Sequence, residues 1–135
     1  MSEKKRRSKL ELKFEEILKE LKAEYQYETT RIAYIIPESK HYYTVDWTLT
    51  NGILLETKGY LSDYQERHKY VLLKNQYPDL DLRFVFDNPK KLCGGTKMTH
   101  EKWADKYNFK WCGVKDVETI QQWVTETNQN KIRVQ

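Results

Sequence analysis

Apolar side chains return at helical spacing near the start of the chain. Leu10, Phe14, Ile17, Leu18 and Leu21 form one stripe, which predicts a helix over residues 8–22. Ser8 stands at the N-cap position and Glu11 follows three residues on, the pattern of a capping box. Residues 25–36 are rich in β-branched and aromatic types and predict a strand. Pro37-Glu38-Ser39-Lys40 has little periodicity and reads as a connector. A second strand is expected over about 41–49. Thr50-Asn51-Gly52 is a turn signal, and a third strand over 53–58 ends at Gly59.

A helix is expected next over 62–76, with Tyr64, Val71 and Leu72 on its apolar side, stopped by Tyr77-Pro78. Leu80, Leu82, Phe84 and Phe86 alternate with Asp81, Arg83 and Val85, the period of a strand. A loop at 88–97, a short helix over 99–107 anchored by Trp103, a strand at 109–112 and a last helix over 117–125 complete the pattern. From 127 onward the chain is polar and is expected to be a loose tail. The order α-β-β-β-α-β joins an antiparallel hairpin to a parallel crossover. It predicts an α/β fold with a mixed central β-sheet flanked by helices.

Composition narrows the class. A length of 135 residues fits one domain, and 39% hydrophobic with 13% aromatic residues marks a folding chain. No run of apolar residues approaches a membrane span, and no apolar segment follows the basic N-terminus as in a secretory signal. Cys93 and Cys112 have the spacing of neither a metal site nor a disulfide framework, so a reducing cytoplasm is the expected location. The net charge is a modest +4, but Lys4, Lys5, Arg6, Arg7 and Lys9 crowd the arm at residues 1–9. Such an arm fits either a grip on a phosphate backbone, driven by counterion release, or a solvated terminus without a partner.

The candidate chemistry lies in Asp46, Glu56 and Lys58. Glu56 and Lys58 are two apart on one predicted strand and share a face. A two-residue loop at Asn51-Gly52 puts Asp46 opposite Thr57, on the wrong face. A three-residue loop at Thr50-Asn51-Gly52 pairs Leu49 with Ile53 and puts Asp46 opposite Glu56, with Cβ atoms about 4.5–5.5 Å apart. Gly52 suits the left-handed position that closes such a loop, so this register is the expected one. Two opposed carboxylates call for a cation, and hard oxygen donors suit Mg²⁺ or Mn²⁺. A neighbouring lysine can hold the attacking water and the phosphate and offset developing charge. The alternative is a surface ion pair between Glu56 and Lys58 with Asp46 merely solvated. Flanking Leu, Ile and Val residues weigh against that, because charge on a half-buried sheet is costly. Glu11, about 75° from the centre of the helical stripe, fits both a cap and a further metal-site carboxylate. Arg67, Lys69 and Lys74 read as a solvated helix face. His68 reads as a surface or phosphate-contacting residue, and Tyr42, Tyr43 and Trp47 as packing rather than base stacking.

Three stretches carry a family resemblance: residues 34–46, with Ile36-Pro37-Glu38-Ser39-Lys40-His41 leading to Thr44-Val45-Asp46; Asn51-Gly52-Ile53-Leu54-Leu55-Glu56-Thr57-Lys58-Gly59; and residues 76–86. With them the chain resembles the phage endonuclease I family of Holliday-junction resolvases, a branch of the PD-(D/E)XK nucleases. The similarity runs over about residues 8–111. The resemblance implies that Glu11, Asp46, Glu56 and Lys58 are catalytic. It also implies that Asp46, Glu56, Glu11 and the backbone carbonyl of Thr57 hold Mg²⁺, with Mn²⁺ an expected substitute. It implies an intertwined homodimer in which a connector at about 36–42 crosses to the partner, so that each site joins the helix glutamate of one chain to the strand residues of the other. The activity implied is metal-dependent hydrolysis of branched double-stranded DNA, giving paired nicks at four-way junctions, in the cytoplasm of a bacterial host and without a membrane partner. Lys4, Lys5, Arg6, Arg7, Lys9, Arg67 and His68 are the expected DNA contacts. The single nuclease domain is expected over 10–126, between the basic arm and the polar tail at 127–135. Val45 stands where the family's motif has proline, and the tail is less basic than is usual there. The rival readings are a restriction- or repair-type nuclease on the same core, and a non-catalytic nucleic-acid-binding domain.

Overall fold

The structure is a computed structural model and describes residues 8–36 and 39–127. Helix α1 (Lys9–Glu20) opens on a full capping box. The Glu11 backbone N–H donates to Ser8 Oγ at 3.0 Å, and the Ser8 N–H donates to Glu11 Oε1 at 3.3 Å. The helix closes in a Schellman turn: Ala23 N–H bonds to Leu18 C=O and Lys22 N–H to Lys19 C=O, with Lys22 left-handed at φ 57°. Phe14 and Leu18 are its buried residues.

Strands β1 (Tyr25–Tyr27), β2 (Arg31–Ile36), β3 (Ser39–Thr44), β4 (Trp47–Leu49) and β5 (Leu54–Lys58) follow. Then come α2 (Tyr64–Gln76), β6 (Leu82–Phe86), α3 (His100–Lys106), β7 (Trp111–Gly113) and α4 (Val117–Thr125). The main sheet has the order β1-β4-β5-β6-β7. Its β1, β4 and β5 pair antiparallel, while β5, β6 and β7 pair parallel, each parallel connection passing through a helix. The chain is thus a mixed α/β protein with a central mixed sheet flanked by helices.

The strands expected over 25–36 and 41–49 are each broken in two. Pairing runs Tyr27↔Trp47 in the main sheet and then Arg31↔Thr44 in the separate β2-β3 hairpin, four steps on one side against three on the other. The extra residue is a β-bulge. Glu28 opens it in a left-handed conformation at φ 53°, where glycine is usual, and its N–H still reaches Asp46 C=O at 2.8 Å. Val45 N–H donates across the bulge to Thr30 C=O at 2.8 Å, a bond that proline at this position would lack. The bulge bends the paired ribbon off the sheet, which sequence alternation does not reveal.

Of the connector expected at 36–42, residues 37 and 38 lie outside the described residues, and the remainder pairs within the chain. Ile36 pairs with Ser39, and the strand continues through Lys40 and Tyr42. The edge of β2 is held by α2: the Gln76 side-chain amide donates to Ile35 C=O at 2.7 Å, its oxygen accepts from Ile35 N–H at 2.8 Å, and Tyr77 OH bonds to Ala33 C=O. Two other expectations fail locally. Tyr64, expected on the apolar side of α2, is 65% exposed, and Tyr42, expected to pack, is exposed beneath Arg31 and Lys40.

Both faces of β5 and β6 are covered, so these strands read as near-continuous buried residues. One face packs Leu54, Phe84 and Phe86 against Tyr70, Leu73, Trp103 and Phe109. The other packs Leu55 and Val85 against Phe14, Leu18, Trp47, Ile120 and Trp123. On the second side Trp47 meets Phe14 at 5.5 Å and Tyr27 at 4.6 Å between ring centroids, which docks α1 and β1 onto β4.

Candidate active site

The three-residue loop register is the observed one. Trp47 pairs with Leu55 and Thr48 with Leu54; Leu49 N–H bonds to Ile53 C=O, and Gly52 takes φ 94°. Continued by one residue, this register sets Asp46 against Glu56, but ladder pairing stops at Trp47 because the chain bends at Asp46. Asp46 turns over the end of the strand. Its Oδ2 accepts from Thr57 N–H at 3.1 Å and from Thr57 Oγ1 at 3.0 Å. The two carboxylates remain electrostatic neighbours without being a ladder pair.

Three carboxylates converge at Asp46. One oxygen each from Glu11, Glu28 and Asp46 all lie within 4.8 Å of one another. Glu11 arrives from the first turn of α1 while still serving the capping box, and also accepts from Tyr27 OH at 2.9 Å. The cap and site readings of Glu11 are therefore geometrically compatible. Glu28 arrives from the bulge. It was missed in the sequence because its placement depends on a left-handed residue outside both strands. Glu11 reaches Asp46 from the same chain, whereas the resemblance implies the partner's helix. Within this chain β2 pairs antiparallel with β3, and α1 packs on its own β4 through Phe14 and Trp47.

Asp46 is pushed up to about 8, by burial first and then by Glu56, with Glu11 adding to them against the bonds from Thr57. A buried carboxyl so crowded by other carboxylates is poised for a divalent cation. The donors are hard oxygens, which fits Mg²⁺ or Mn²⁺ better than a soft metal.

On the neighbouring face, Glu56 is buried and fully engaged. Tyr43 OH donates to Oε1, Tyr70 OH donates to Oε2 at 3.0 Å, and Lys58 Nζ lies 3.7 Å from Oε2. Burial raises the Glu56 pKa, opposed by Lys58, Tyr43, Lys69 and Tyr70. Burial opposes charge on Lys58, yet Glu56 and an ion pair with Glu66 outweigh it and raise its pKa. Lys69, expected on a solvated face, is half-buried beside this group, and burial lowers its pKa. Glu66, Lys69, Tyr43 and Tyr70 thus join the site. Their signal in the sequence was only the i, i+4 spacing of Glu66 and Tyr70 on α2, which has no meaning until the helix is laid over β5.

The other expected DNA contacts divide. Lys4, Lys5, Arg6 and Arg7 lie outside the described residues, as does all of the tail beyond Thr127. Lys9 is exposed at the start of α1, and His68 is half-buried and stacked on Tyr64 at 5.2 Å. Arg67 is displaced from that role. It is buried, with Nη1 donating to Leu61 C=O at 3.1 Å, so it braces the loop before α2.

Clustered carboxylates with a lysine at the end of a sheet strand are the equipment of a metal-assisted phosphodiesterase. The model of the family described as phage endonuclease I matches residues 2–134, and the chain belongs to that family of nucleases. It is 43% identical to endodeoxyribonuclease 1 of Enterobacteria phage T3 over 104 residues, 76% of this chain and 68% of that protein. It is 38% identical to endonuclease I of Escherichia phage T7 over 106 residues, 78% of this chain and 70% of that protein. Among solved structures, a crystal structure of protein VC1899 from Vibrio cholerae superposes with a TM-score of 0.45 at 16% identity, over 85% of this chain and 32% of that one, too weak a likeness to assign a fold family. No helix among the described residues is long and apolar enough to cross a membrane.

Proposed function

We propose that this chain is a metal-dependent endonuclease that cuts branched DNA, leaving paired nicks at four-way junctions, on a PD-(D/E)XK core. The observation that carries the reading is the convergence of Glu11, Glu28 and Asp46 within 4.8 Å, next to Glu56 and Lys58, in a member of a nuclease family. The named relatives in phages T3 and T7 are endonucleases, which supports DNA as the substrate.

Asp46, Glu11 and Glu28 would hold the cation, preferably Mg²⁺, with Glu56 and the Thr57 carbonyl completing the set. When bound, the cation supplies electrophilic activation of the phosphate and of the attacking water. Thr57 fixes the rotamer of Asp46 through its N–H and hydroxyl. Tyr43 and Tyr70 orient Glu56, and Lys58 stands where it can steer the water and offset charge in the transition state.

A homodimer fits two coordinated cuts. Separating β2 from β3 of the same chain would let α1 of each chain make on its partner the packing that Phe14 makes on Trp47 here, since an exchanged element forms the same contacts in trans. The basic arm, Lys9 and His68 are the proposed backbone contacts.

The test sets the purified protein against a four-way junction and its matching linear duplex, with Mg²⁺ and with EDTA. Paired nicks in the junction, absent in EDTA and weak on the duplex, are expected. Equal cutting of both substrates would remove the structural selectivity, and no cutting of either would leave only a binding domain.

A further inference from the structure

The Lys69 side chain has an unusual setting for a lysine. Its Nζ lies 4.9 Å from the centroid of the Tyr70 ring and 5.2 Å from that of Tyr43. These are the two rings whose hydroxyls donate to Glu56. Among the described residues no carboxylate stands within ion-pair distance of Lys69, and no hydrogen bond occupies its three N–H donors. Lys58 is the opposite case, already held by Glu66 and close to Glu56.

Lysine is a strongly hydrated cation that seldom gives up water without compensation. Two aromatic faces compensate in part, through the attraction of the cation to the ring quadrupoles. They hold the ammonium group while leaving its donors open, so the arrangement presents a half-buried positive charge beside the site. A phosphate oxygen is the partner that such a charge fits, because it accepts charge-assisted bonds from the open N–H donors.

We infer that Lys69 is a second phosphate-binding lysine of the active centre, which takes a non-bridging oxygen of the strand being cut while Lys58 serves the water. The inference rests on the nuclease reading above.

The test uses full-length Lys69→Met, which keeps an unbranched side chain beside the two rings without the charge, and Lys69→Arg, which keeps the charge. Junction binding is measured in EDTA over a KCl series, and single-turnover cleavage is measured with Mg²⁺. Lys69→Met is expected to flatten the slope of log K against log salt by about 0.9, the share of one phosphate contact. It is also expected to slow cleavage at least tenfold at an unchanged melting temperature, with Lys69→Arg close to wild type in both. A wild-type slope in Lys69→Met would overturn the inference, since a merely structural lysine leaves the salt dependence alone. If Lys69→Met fails to fold, Lys69→Gln is read in the same assay with the same two outcomes. A wild-type protein that neither binds nor cuts the junction overturns the nuclease reading itself, and this inference with it.

Discussion

The crowding at Asp46 has a cost that can be measured without any substrate. Asp46 is 9% exposed and lies against Glu11, Glu28 and Glu56, and its carboxyl ionises near 8 instead of near 3.8. The folded chain therefore keeps a proton that the unfolded chain releases near 3.8. The stability this proton lends is full below about 3.8 and is lost as pH rises through about 8. At about 1.4 kcal/mol per unit of pKa, metal-free protein at pH 9 is several kcal/mol less stable than the same protein at low pH. Asp46→Asn removes the ionisation. Its amide oxygen still accepts from Thr57 N–H and Oγ1, and its NH₂ can donate to the Glu11 or Glu28 carboxylate. We expect the variant in EDTA at pH 9 to be more stable by on the order of 3 kcal/mol, a rise in Tm of about 10 °C for a chain of this size. The gain should shrink towards pH 5. Mg²⁺ should stabilise wild type and leave the variant nearly unmoved. Calorimetry or thermal circular dichroism at pH 5, 7 and 9, with EDTA and with Mg²⁺, gives the answer. A variant no more stable than wild type at pH 9, or equally stabilised at pH 5 and 9, would refute the reasoning.

Two further substitutions probe the neighbours. Tyr70→Phe keeps the ring packed on Phe84 and Trp103 but removes the hydroxyl 3.0 Å from Glu56. A lost donor to a carboxylate, worth about 1.5 kcal/mol, raises the Glu56 pKa further, so the acidic limb of the cleavage–pH profile should move up by about one unit; an unmoved limb would show that Glu56 need not ionise. Glu28→Gly relieves a left-handed non-glycine residue, about 1 kcal/mol, and thins the carboxylate cluster, so metal-free Tm should rise by a few degrees while Mg²⁺ affinity, measured by calorimetric titration, falls. Glu28→Gln, which keeps the backbone strain, should lose the affinity and show a smaller gain in Tm.

The sequence by itself determined what local rules control. The periodicity of Leu10 to Leu21 and the Ser8–Glu11 pair specify α1 and its cap, because helix period and capping act within a few residues. Gly52 selects the three-residue loop, and that loop alone sets Leu49 against Ile53. The alternation of Leu80, Leu82, Phe84 and Phe86 marks β6 as a strand. Asp46, Glu56 and Lys58 were legible because loop register and strand alternation bring them near one another.

The tertiary structure decided the rest, since it turns on contacts far apart in the chain. Only the bulge at Glu28, formed as the ribbon leaves the sheet, brings a third carboxylate to Glu11 and Asp46. Only the laying of α2 across β5 turns Lys69 from an apparently solvated residue into part of the surroundings of Glu56 and Lys58, together with Glu66 and Tyr70, and buries Arg67 instead of exposing it. A side chain on a helix is worth whatever its neighbour across the fold makes it, and that neighbour is fixed by packing two layers together rather than by spacing along the chain.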